Sequence, residues 1–377
     1  MVRKNRFFSL GFFVFNAIFA FTQIPSEKPY WFTLEQGKLL FRTGQYGDAL
    51  LAFEDARDQR KALYTQMERT FITLLSIPEV RRLGDSLNLV ETYIRDQRQE
   101  SATAVLRELY YRVPKTSLEG SARAALEQIG RLKNYPEAEY WIGETYRVEG
   151  ELGIALKQYQ KAYEQREFLE NSGFEREILY RIVDVHRLRQ EYPEMEKWLL
   201  EILKQDPLWS DDSGIFAKNA LLRTVENDGM NRFLTLYRHN NGSVEKAHRL
   251  LGLYYYASGR HSRAMEHLLY AFLIQNSIII EEVLRNQFDF VFTNLENLWD
   301  EIARRPVLTA YVEEVEYYKT MYYLGSAFYG AGKLRSAREF WTFLSLRNGG
   351  GFAAGEWGTR ARGQLRSPSM DPAVEYP

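Results

Sequence analysis

The chain has 377 residues, with 49 Lys and Arg against 50 Asp and Glu and no cysteine. That charge balance gives no long-range attraction to nucleic acid or anionic lipid. The lack of thiols excludes disulfides, thiol catalysis, iron–sulfur clusters, thiolate zinc sites and lipid attachment at an N-terminal cysteine. Only 11 prolines, and a body rich in Ala, Leu, Glu, Arg and Gln from residue 30 to 346, predict helices throughout. The 15% of aromatic residues is assigned to the gaps between stacked helices, where each ring buries a large apolar area.

In chain order, residues 1–22 come first. Arg3, Lys4 and Arg6 precede an uncharged apolar run from Phe7 to Phe21, followed by Thr22, Gln23 and two prolines, which is a signal-peptide layout. The run falls short of the ~20 apolar residues that usually span a bilayer. Export is therefore expected, with membrane association only through an uncleaved N-terminal segment. Ala17, Ala20 and Thr22 are the small residues near its end, without a clean A-x-A site. Removal of this segment leaves 46 basic residues against 50 acidic ones, a formal charge of −4.

Residues 23–347 carry an internal repeat. GKLLFRTGQYGDALLAFEDA from Gly37, GETYRVEGELGIALKQYQKA from Gly143, GLYYYASGRHSRAMEHLLYA from Gly252 and GSAFYGAGKLRSAREFWTFL from Gly325 share one register. A second glycine follows each first one (Gly44, Gly150, Gly259, Gly332), then an alanine (Ala49, Ala155, Ala264, Ala337), then a large residue (Phe53, Tyr159, Leu268, Trp341). The first glycine and the alanine are expected where two helices of one unit cross closely. The second glycine is expected at positive φ, ending the first helix, and the large residue is expected to pack against the next unit.

Two further units fit without the glycine, one through Leu89, Tyr93, Ala102, Leu106, Leu109 and Pro114 and the other through Ile182, His186, Leu199, Ile202 and Pro207. The remaining spacing leaves room for degenerate helical pairs near 211–238 and 279–305, about seven or eight pairs in all. Residues 348–377 are Gly- and Pro-rich with little periodicity and are expected to pack loosely or stay disordered.

These positions resemble the tetratricopeptide repeat family, whose pattern W-x2-L-G-x2-Y, then A-x3-F, then P they follow with conservative departures. The resemblance covers most of residues 30–347. It implies an all-α fold, a right-handed superhelical solenoid of stacked helix-turn-helix units, whose first helices line a concave face on which protein or peptide partners lie. Carried over position by position, that face includes Tyr140, Glu144, Arg147, Tyr180, Asp184, Arg187, Arg249, Tyr256, Tyr322 and Tyr329. Tyr with Arg suits peptide recognition, because rigid rings contribute area at low entropy cost and guanidinium pairs with carboxylates. The Lys and Asn set that clamps a C-terminal carboxylate in some chaperone-binding members is not reproduced, so chaperone-tail binding is not expected. ATAVLRELYYRVPKTSLEGSARAALEQIG, with Tyr111, Pro114 and Ser117, is also similar to units of bacterial outer-membrane assembly lipoproteins and of the periplasmic cell-division coordinator.

Catalytic signatures fail one by one. In GAGKL, Gly330–Leu334, a phosphate loop would need glycine at Ala327 and Ser or Thr at Leu334, and the register makes it a turn inside a repeat. His248, His261 and His267 share a unit but form no H-E-x-x-H, and two of them are expected to face solvent. Glu281 with Glu282, and Glu313, Glu314 and Glu316, read as solvated helix faces. There is no G-x-S-x-G, and the glycine run from Gly349 follows no strand. Asn241-Gly242-Ser243 is a glycosylation sequon only on a eukaryotic secretory route.

No catalytic residue, metal site or cofactor is therefore expected. The leading expectation is a non-enzymatic, exported, periplasmic scaffold for protein–protein interaction, in cell-envelope assembly. The alternative is a ligand-binding accessory subunit of a transport system with a Tyr-lined pocket between repeats, for which a ligand-induced rise in melting temperature would be diagnostic. A cell-wall hydrolase ranks last.

Overall fold

The computed structural model describes residues 29–75, 92–93, 101–102, 104, 132, 134–204, 206–210, 212–346 and 355–371, and among these the chain is all-α, with no strand. The expected signal segment lies outside the described residues, as do Leu89, Leu106, Leu109, Tyr111, Pro114 and Ser117. Of the unit that ends at Pro114, Tyr93 and Ala102 are described, and both are helical. The chain divides into two compact units, Met1–Arg189 and Gln190–Pro377.

The first unit contains α1 (Tyr30–Arg42), α2 (Tyr46–Leu75), α3 (Pro136–Val148), α4 (Leu152–Glu164) and α5 (Phe174–Leu188). α1 packs on α2, α3 packs on both α2 and α4, and α5 packs on α4. Helix α3 opens with Pro136, whose missing N–H costs nothing in a first turn, and carries Glu137 and Glu139 where the helix dipole favours anions. Leu34, Ala49, Phe53, Ala56, Tyr135, Ala138 and Ile142 form the core. Buried with them is Arg60, 4.3 Å from the Tyr135 ring and 5.3 Å from the Tyr30 ring, with Nη1 reaching Glu170 at 3.1 Å. Two aromatic faces and one carboxylate thus replace its water shell.

The second unit contains α6 (Tyr192–Leu203), α7 (Pro207–Ser210), α8 (Asp212–Leu236), α9 (Gly242–Ala257), α10 (His261–Asn286), α11 (Leu295–Arg304), α12 (Pro306–Glu314), α13 (Tyr317–Gly330), α14 (Leu334–Leu346) and α15 (Gly355–Arg366). α9 pairs with α10 and α13 with α14, while α13 also lies on α10 and α15 on α14. α8 is two helices broken at Gly229 (φ 82°), and the orphaned amide of Met230 donates to Glu339 Oε1 at 2.8 Å. A helical pair was expected at 211–238. The pair expected at 279–305 is not separate: with no Gly or Pro from His261 to Asn286, α10 runs unbroken through buried Ile279 and Ile280, and α11 follows. α10 is long and apolar enough to cross a bilayer, yet 78% of its apolar window is buried inside the protein.

The repeat register has a common geometry in both units. The second glycine of each copy is left-handed, with φ of 80°, 85°, 73° and 80° at Gly44, Gly150, Gly259 and Gly332. Around it two backbone bonds recur, as in Gly44 N–H to Phe41 O at 3.0 Å and Gln45 N–H to Leu40 O at 2.9 Å, which satisfy the last carbonyls of the first helix. The alanines are fully buried at the helix crossing. The large residue also has a second role inside its own unit. Phe53, Tyr159, Leu268 and Trp341 lie over the first glycine of their own unit, where a Cβ would come within 2.9 Å of the side chain at every copy. Phe53 is also stacked on the following described pair, at 5.8 Å from Trp141. The glycine leaves a hole on the first helix that the large side chain of the second helix fills.

Residues 355–371 also depart from expectation. α15 buries Gly358, Ala361 and Gln364, and Trp357 packs 5.5 Å from Tyr322 and 5.7 Å from Tyr323.

Candidate functional site

In the first unit the expected partner-face residues converge on a side chain outside the expected set, Arg181. Tyr140, on α3, is buried, donates its hydroxyl to Glu177 Oε1 at 3.1 Å and accepts from Arg181 Nε at 3.1 Å. Glu144, one turn further and 3% exposed, pairs with Arg181 Nε at 2.8 Å and Arg147 Nη2 at 2.9 Å, and accepts from the Tyr159 hydroxyl. Arg181 also approaches Asp184 at 3.7 Å, and Asp184 approaches Arg187 at 3.9 Å. Burial, then the neighbouring Glu144 charge, pushes the Tyr140 and Tyr159 hydroxyls well above the usual phenol range, so both remain donors.

This network separates roles that the sequence treats alike. Tyr140 and Glu144 are buried and hold other side chains in place, whereas Arg147, Tyr180, Asp184 and Arg187 are half-buried and border the surface. Arg181 was legible as a helix ion-pair position, with Glu177 one turn before it and Asp184 one turn after.

In the second unit the expected residues fall into two groups. Arg249 is buried and pairs with Glu245 Oε1 at 3.1 Å and with Glu316. Gln275 Nε2 donates to the same Glu245 at 2.6 Å. Burial pushes the Glu245 carboxyl up despite Arg249. Glu316 itself sits in a left-handed conformation (φ 48°) ahead of α13.

Tyr256, Tyr322 and Tyr329 form the other group, and the chain's own C-terminal segment lies on them. Tyr329 donates to the Pro368 carbonyl at 3.2 Å. Tyr256 donates to the Asp371 carbonyl at 3.2 Å and accepts from its amide at 3.2 Å. Tyr322 donates to Asp371 Oδ2 at 3.0 Å and accepts from Gln364 Nε2 at 3.2 Å, while Arg360 Nη1 reaches the same carboxylate at 3.4 Å. Burial chiefly pushes the hydroxyls of Tyr256 and Tyr322 up to about 12. Beside them a cleft of about 570 Å³ opens between α12, α13 and α15, lined by Glu313, Lys319, Tyr323, Trp357 and Arg360 among others.

A buried polar cluster completes the second unit. His248 Nδ1 and His267 Nδ1 are 3.1 Å apart, on α9 and α10, and both rings are buried, against the expectation that two of the histidines in this unit face solvent. They are 19 residues apart in sequence and meet only because the two helices pair. Asp206 accepts from His239 Nε2 at 3.0 Å and lies 3.9 Å from His248 Nε2. Trp209 covers both rings at 4.9 and 4.3 Å, with Lys218 Nζ 3.4 Å from its centroid. Burial pushes His248 down to about 4 and His267 well below the usual imidazole value. Burial raises Asp206, but the hydrogen bond from His239, the nearby His248 and the Leu208 amide outweigh it and hold the carboxyl below the usual range. Among the described residues no three His, Asp or Glu side chains are placed to hold a metal ion.

No family model matches the chain. It is 23% identical over 326 residues to an uncharacterized protein of Treponema pallidum (strain Nichols), covering 86% of this chain and 87% of that one. It is 23% identical over 234 residues to an uncharacterized protein of Borreliella burgdorferi, covering 57% of this chain and 72% of that one. Among solved structures, the TPR domain of P58(IPK) aligns with 91% of this chain and 99% of its own, at 14% identity and a TM-score of 0.17. A superposition that poor leaves the repeat to be read from the chain's own helix pairs.

Proposed function

We propose that the chain is an exported, non-enzymatic scaffold of the tetratricopeptide type that holds a protein partner along the faces of its first helices, in the bacterial cell envelope. The observation that carries this reading is in the second unit, where hydroxyls of three tyrosines on first helices converge on an irregular stretch of polypeptide. Peptide capture uses such groups, because buried phenols that stay protonated donate to carbonyls and carboxylates without losing a proton. In the first unit, Arg147 and Arg187, held by buried or half-buried acids, present guanidinium at the surface in a fixed pose.

Export draws support from the basic and apolar layout of residues 1–22, and the solenoid from the four equivalent helix pairs. The test is affinity capture of the tagged mature chain from its own envelope, with mass spectrometry of what co-purifies, beside an Arg147→Glu, Arg187→Glu variant. A stoichiometric protein partner, lost in the variant, is expected. A chain that emerges alone from both preparations sinks the scaffold reading.

A further inference from the structure

The contacts made by residues 368–371 are those a foreign peptide would make. Tyr322 and Tyr329 are seven residues apart on α13, a rise of about 10 Å. Tyr329 meets the segment at Pro368 and Tyr322 meets it at Asp371, so the segment runs opposite to the direction of the helix. The tyrosines engage one backbone carbonyl at Pro368, the backbone amide and carbonyl of Asp371, and its carboxylate. Pro368 is half-buried, Ser369 and Met370 are exposed, and the Ser369 amide donates to Gln364 Oε1 at 2.8 Å. The hold is polar and replaceable. The segment supplies the acceptor of the Tyr322 hydroxyl and both an acceptor and a donor to Tyr256, which another polypeptide or water would have to replace if it departed.

We propose that Pro368–Asp371 is a tethered occupant of a peptide-binding site, and that a partner enters this site with an extended acidic segment whose carboxylate replaces that of Asp371. Recognition is by backbone and by one carboxylate, read by Tyr322 together with Arg360. A short tether keeps its occupant at an effective concentration of about 1 mM. A tail that binds with a dissociation constant of about 0.1 mM would then hold the site closed roughly nine-tenths of the time and weaken a competitor tenfold. The inference rests on the scaffold reading only for the partner's being a polypeptide.

The test uses the full mature chain and, as probe, a fluorescent peptide of residues 366–377 of this sequence, followed by anisotropy. Asp371→Asn and Asp371→Lys are made in the chain, both outside the helices. The peptide is expected to bind the Asp371→Lys chain about tenfold tighter than the wild type, with Asp371→Asn between them. Tyr322→Phe in the Asp371→Lys chain is expected to lose most of that gain, and a peptide carrying the Asp371→Lys change is expected not to bind.

Equal binding by wild type and variants, or none by any, overturns the proposal. If light scattering shows a wild-type dimer that Asp371→Lys dissolves, the occupant is the tail of a second copy, which overturns the intramolecular form. Partner capture without peptide binding would sink this inference and leave the scaffold standing, whereas peptide binding without a captured partner would do the reverse.

Discussion

Leu268 lies across the α-carbon of Gly252, so close that a Cβ on the glycine would stand 2.5 Å from Leu268 Cγ and 3.1 Å from its backbone nitrogen. The leucine can turn away, but the backbone of α10 cannot without moving the helix pair. Gly252→Ala is therefore expected to destabilise the second unit by ~1–3 kcal/mol through overpacking. Gly363→Ala, at an exposed position of α15 with nothing within 4 Å, is expected to stabilise by up to ~1 kcal/mol. Chemical denaturation of the two variants beside the wild type checks both signs.

Gln190 has φ 59°, the left-handed conformation that glycine takes in the four strong copies, and its place before Met195 matches that of Gly150 before Ala155. A side chain there is strained by ~1–2 kcal/mol. Gln190→Gly is expected to raise stability by about 1 kcal/mol, measured as a shift of the denaturation midpoint at unchanged slope. A loss of stability would mean that the amide side chain makes up the strain.

Much of the helix-pair geometry was legible because it is local: a left-handed glycine ends one helix, and small residues mark a close crossing. What was hidden depends on contacts across the chain. Phe53 and its equivalents turn back onto their own unit's glycine, which the register alone does not say. His248 and His267 carry no spacing signal, since they belong to facing helices. In the tail, Trp357, Ala361 and Gln364 do follow helical spacing, but Gly355, Gly358 and Gly363 masked it. Asp371 has no helical-spacing signal, because its partners are 11, 49 and 115 residues away.

The histidine pair predicts acid sensitivity. One Nδ1–H donates into the other ring's lone pair, so charging the acceptor breaks the contact. Both folded values lie below the unfolded 6.5. The unfolded chain therefore binds more protons as pH falls from 6.5 toward 4, and stability drops by up to ~1.4 kcal/mol per pH unit for each histidine. Melting temperatures measured between pH 7.5 and 4.5 should fall, and His267→Phe should flatten the slope. An unchanged slope would place the acid sensitivity elsewhere.

Export is checked by fusing residues 1–30 to alkaline phosphatase, which is active only outside the cytoplasm. Activity is expected, and it should vanish when Phe12 and Phe15 are both changed to Asp. A fusion that is inactive from the start would confine the chain to the cytoplasm.

The most direct test of the scaffold account is site-specific photo-crosslinking in living cells that make the protein, with a photoreactive residue in place of Tyr180 on α5 or of exposed Lys157 on α4. The account predicts a discrete protein adduct from position 180 and none from position 157. Adducts from position 157 alone, or from neither position, would contradict it.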